Sequence, residues 1–79
     1  MVSELRNVDM NGAILHLTDG RHCLIESSQQ SVTNNWLQGD KLEISVAESP
    51  VFKIHCVDSN ESAHAMIYEG EEQLLELPN

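Results

Sequence analysis

Lys41-Leu42-Glu43-Ile44-Ser45-Val46 decides the fold of this chain. Leu42, Ile44 and Val46 share one parity, and Lys41, Glu43 and Ser45 share the other. Successive side chains of a strand point to opposite faces, so this spacing describes a ribbon with one apolar and one wet side. A helix would space its apolar residues three and four apart. Working outward, residues 51–57 repeat the pattern with Phe52, Ile54 and Cys56, and residues 63–68 with Ala63, Ala65 and Ile67. Toward the start, residues 13–18 carry Ala13, Leu15 and Leu17 on one face, and residues 21–26 carry Cys23 and Ile25. A weaker strand fits residues 3–8.

Turn signals separate these runs: Asn11-Gly12, Asp19-Gly20, Ser27-Ser28, Gly39-Asp40, Ser49-Pro50, Asp58-Ser59-Asn60 and Gly70. Their interval, roughly eight to twelve residues, suits a sandwich or barrel of short strands. The expected architecture is therefore all-β, with five to six short antiparallel strands. Two hairpins follow. Around Asp19-Gly20, a strict two-residue loop would put Leu17 opposite His22, whereas matching the apolar faces pairs Leu17 with Cys23 and Leu15 with Ile25 through a glycine bulge. Around Ser59-Asn60, pairing Asp58 with Glu61 sets Cys56 opposite Ala63, Ile54 opposite Ala65 and Phe52 opposite Ile67, all facing the core.

Residues 29–35 have no strand pattern and are expected to form a loop with one helical turn at 31–34. The loop delivers Trp36, the only tryptophan. In so thin a core it is expected to plug an open end of the barrel, with two further readings, a ring brought near the surface by the loop and a ring wholly in the core. Residues 69–79 are acidic and carry Leu74, Leu75 and Leu77. They suit an edge strand, a short helix or a frayed end. All 79 residues fit one domain.

The frame Leu17-Thr18-Asp19-Gly20, then Cys23 and Ile25, then Trp36-Leu37-Gln38-Gly39-Asp40-Lys41-Leu42-Glu43-Ile44, resembles small bacterial proteins of unknown function. In these, a strand ending in Asp-Gly is followed by Trp-x-x-Gly-Asp and another strand. The resemblance covers residues 13–57, with a departure at Cys23, where those proteins carry an aromatic. It implies a small SH3-like barrel with one short helical turn. It implies no activity.

Charge narrows the function. Thirteen acidic residues against four basic ones leave a formal net charge of −9, and the cations Arg6, Arg21, Lys41 and Lys53 are scattered. Phosphate backbones require clustered cations, so nucleic acid is not an expected partner, and an anionic membrane surface is disfavoured for the same reason. No apolar run approaches the ~20 residues of a membrane span. The start Met1-Val2-Ser3-Glu4-Leu5 has no basic segment followed by an apolar one, and Cys23 and Cys56 sit within apolar runs as small buried hydrophobes. Together these point to a cytoplasm-like compartment.

Chemistry is sparse. In the second hairpin's favoured register, His55 and His64 lie directly opposite on the outer face, ~5 Å apart at Cβ. Such a pair could hold a divalent metal, but with no assured third ligand the expected state is two solvated histidines. His22-Cys23 and His55-Cys56 cannot act as couples, because neighbours on a strand face opposite ways. No nucleotide loop, nucleophile elbow or Cys-x-x-Cys occurs. Neither catalytic residues nor a cofactor are expected. What remains is a non-catalytic protein-interaction module with a basic partner, its contacts placed at Trp36, Gln38, Asn34 and Tyr68. Self-association through strand edges and single-strand nucleic-acid binding are the alternatives.

Overall fold

A computed structural model describes residues 1–69 of the chain. The strands are β1 (Val2–Asp9), β2 (Ile14–Leu17), β3 (Arg21–Ile25), β4 (Lys41–Glu48), β5 (Val51–Cys56) and β6 (Glu61–Glu69). A 3-10 turn at Ser27–Gln29 runs into the single helical turn α1 (Gln30–Thr33), and a second 3-10 turn spans Met10–Gly12. All pairings are antiparallel and close a barrel in the order β1-β2-β3-β6-β5-β4. The expected C-terminal strand or helix, with Leu74, Leu75 and Leu77, lies outside the described residues.

The alternating apolar faces converge as expected. Leu15, Leu17, Cys23, Leu42, Ile54 and Cys56 are fully buried, and Phe52 and Ile67 pack against them. The weakest strand in the sequence proves to be the one that closes the ring. β1 pairs with β2 and with β4, and Leu5 is fully buried.

Both hairpins keep the expected faces but slip by two residues. Leu15, not Leu17, lies opposite Cys23, and a three-residue loop at 18–20 closes through Gly20 N–H donating to the Leu17 carbonyl at 3.1 Å. In the second hairpin Ile54 pairs with Ala63 and Cys56 with Glu61. The loop there holds four residues, with Asn60 left-handed at φ 57° and its N–H on the Cys56 carbonyl at 2.8 Å. A slip of two conserves every inward position, so alternation alone cannot detect it.

Val46 also departs from expectation. Alternation puts it on the inward face, yet it is 64% exposed. β1 accompanies β4 only through Glu43 and a backbone bond at Ile44, so farther along β5 is the only described strand beside β4. A bulge at Ala47 then bends the ribbon toward the turn holding the cis Ser49–Pro50 bond.

Candidate functional site

The loop between β3 and β4 is tied to the barrel by its own side chains. Fully buried Thr33 donates its hydroxyl to the Gly12 carbonyl at 2.7 Å, and Gln30 donates to the Ile25 carbonyl at 3.1 Å. Gln29 accepts from the His64 N–H and meets His64 Nδ1 at 3.4 Å. Trp36 is thereby set into the barrel, 3% exposed, with its indole N–H donating to Glu61 Oε1 at 3.1 Å. Trp36 is a member of the buried core cluster, which matches the core reading, and it offers no surface ring.

The other expected contact residues do not assemble around it. Asn34 and Gln38 are exposed on the loop, whereas Tyr68 is half-buried and lies opposite His22 on β3. Glu61, the partner of Trp36, and Tyr68 stand near opposite ends of β6. Seven residue steps along the strand separate them by roughly 23 Å. Trp36, Asn34, Gln38 and Tyr68 therefore form no single patch.

The two-residue slip also separates the expected histidine pair. His55 lies opposite Ser62, with Nδ1 2.8 Å from its hydroxyl, and His64 lies opposite Lys53. Diagonal neighbours on a sheet are about 7–8 Å apart, and both rings already have other partners. The slip in the first hairpin has the reverse effect, setting His16 directly opposite His22. The two lie equidistant from Asp19 in the chain, and that symmetry was the available signal.

Asp40, Cys56 and Asp58 bring one ligand-type atom each within 4.8 Å of one another. Their groups are engaged in holding turns. Asp40 accepts from the Leu37 N–H at 2.9 Å and from the Cys56 thiol at 3.4 Å, and Asp58 accepts from the Lys41 N–H at 2.9 Å. Cys23 is fully buried, and desolvation pushes its thiol up to about 12, which leaves no nucleophilic thiolate near neutrality.

The surface feature sequence reading missed is a groove of about 360 Å³. β6 pairs with β5 over residues 61–65 and with β3 over residues 65–69, so Ala65 is the point of transfer. Beyond it β6 has no described strand partner on its β5 side. The groove opens there, lined by Leu24, Val51, Ala65 and Met66, with Glu26 and His64 as its polar groups. Met66 is 42% exposed. A larger depression of about 500 Å³ lies over Ile44 and Lys53, but its lining is mixed and more polar. No helix among the described residues is long and apolar enough to cross a membrane.

No protein-family model matches the chain, and no curated protein or solved structure matches it significantly.

Proposed function

We propose that this protein is a non-catalytic interaction module of the cytoplasm that captures an extended segment of a basic protein partner in the groove at the β5–β6–β3 transfer. The observation that carries this reading is the coincidence of an apolar floor with a stretch of β6 lacking a described strand neighbour. An added strand gains main-chain hydrogen bonds along such an edge while one of its side chains fills the pocket. Leu24, Val51 and Met66 would hold an aliphatic or aromatic anchor. Glu26 and the net charge of −9 favour Lys or Arg beside it and steer its approach. The same charge disfavours a nucleic acid.

The test uses the isotope-labelled full chain and a panel of octapeptides with a central Leu or Phe flanked by Lys and Arg. Amide shifts should concentrate at Leu24, Val51 and Met66. Met66→Ser, at an exposed position, should weaken binding about tenfold, equivalent to ~1.4 kcal/mol. Shifts centred elsewhere, or an unchanged affinity in the variant, would refute the groove.

A further inference from the structure

We propose that the outer face of β2 and β3 binds a divalent transition-metal ion of the zinc–copper type through His16 and His22. The two residues are direct cross-strand partners, with ring centroids 6.0 Å apart and planes inclined by 36°. Two imidazoles on one tetrahedral ion have centroids roughly 5 Å apart, a difference that small side-chain rotations can close.

Three further features mark this pair out from His55 and His64. His22 is 4% exposed, and its Nε2 is buried with no hydrogen-bond partner among the described residues. Buried polar atoms are ordinarily satisfied, and in the tautomer with its proton on Nδ1 this ring offers an Nε2 lone pair that a metal can use. Tyr68 stacks on His22 at 5.9 Å and 26°, which restricts the ring. Asp9 stands beside His16, its Oδ2 3.6 Å from Nε2. A carboxylate against a ligating histidine orients the ring and makes it more basic. Asp9 fills that supporting place, and water completes the coordination. Two protein ligands give micromolar affinity, not the tight binding of a four-ligand structural site. Ligation requires neutral imidazoles, so occupancy falls in acid. The site does not depend on the groove or on its partner.

The experiment titrates the labelled full chain with Zn²⁺ and follows the ring nitrogens of all four histidines. His16 and His22 should shift together and saturate at one ion per chain, with His55 and His64 unchanged. His16 is half-buried, so His16→Asn should fold and lose at least tenfold in affinity, while His55→Asn should leave binding intact. Non-saturating shifts spread over the acidic surface would overturn the proposal. So would undiminished binding in His16→Asn.

Discussion

Gly12 shows how much one residue can carry. Its φ is +96°, and a Cβ built there would lie 2.2 Å from the Gln30 carbonyl oxygen and 2.9 Å from the Asn34 nitrogen. Gly12→Ala should therefore combine a left-handed penalty of about 1–2 kcal/mol with overpacking against backbone, for a loss of about 3 kcal/mol in urea unfolding. Gly20 provides the contrast. Its φ is +95° with nothing within 4 Å, so Gly20→Ala should cost about 1 kcal/mol, the conformational part alone. Cys23 sets an alkaline limit. Its folded thiol titrates at about 12 against 9.0 ordinarily, so the unfolded chain releases its proton first. The stabilisation is whole below about pH 9 and is lost as pH rises toward 12. Cys23→Ala should remove that part of the alkaline slope, and thiol reagents should label the native protein at the rate of its opening. Asp19 acts at the acid end. The Arg21 side chain, bonded through Nε at 3.0 Å and Nη2 at 2.6 Å, holds its carboxyl below the usual 3.8. Its contribution is present at neutral pH and disappears as pH falls through the depressed value. The side chain is 40% exposed, so Asp19→Asn should cost no more than about 1 kcal/mol at pH 7, with the gap closing in acid.

At the scale of the element, β1 is the test of closure. Among the described strands it alone joins β2 to β4, and Leu5 is its fully buried residue. The backbone bonds from Leu5 N–H to the Asp40 carbonyl and from Gly39 N–H to the Leu5 carbonyl lock the Gly39-Asp40 turn onto it. Leu5→Ala should cost about 3–5 kcal/mol, a large share of the ~5–15 kcal/mol that a domain possesses. Urea unfolding followed through the single Trp36 would measure it. The hairpins show where sequence reading ends. Alternation identified the inward sets Leu15, Leu17, Cys23 and Ile54, Cys56, Ala63. It could not distinguish registers differing by two, because both bury the same atoms. The choice lay in the loops, through Gly20 and the left-handed Asn60.

The described strands close into a ring in a chain of strongly negative charge, which leaves little free strand edge among them for the alternative of edge-to-edge self-association. Binding of a basic segment to such a surface should weaken when salt is raised from about 50 to 500 mM, because screening then reaches within a few ångströms. Isothermal titration at the two salt levels measures this, and a salt-independent affinity would argue for an uncharged partner. The surfaces proposed to be functional are the least legible part. The groove depends on where β6 changes partners, and the His16–His22 pair depends on a three-residue loop. Trp36 is visible as an exceptional residue, but only packing chose the core over the surface.

What the sequence determined by itself was which side of each ribbon turns away from water. Hydrophobic burial is local enough to be written in a period of two, and it sufficed for an all-β fold of short antiparallel strands with Leu15, Leu42 and Ile54 inside. What only the tertiary structure decided was which side chains meet across strands. That is set by loop geometry and ring closure, which shift partners by whole two-residue steps at no cost in buried area, and on such a step His55 and His64 part while His16 and His22 come together.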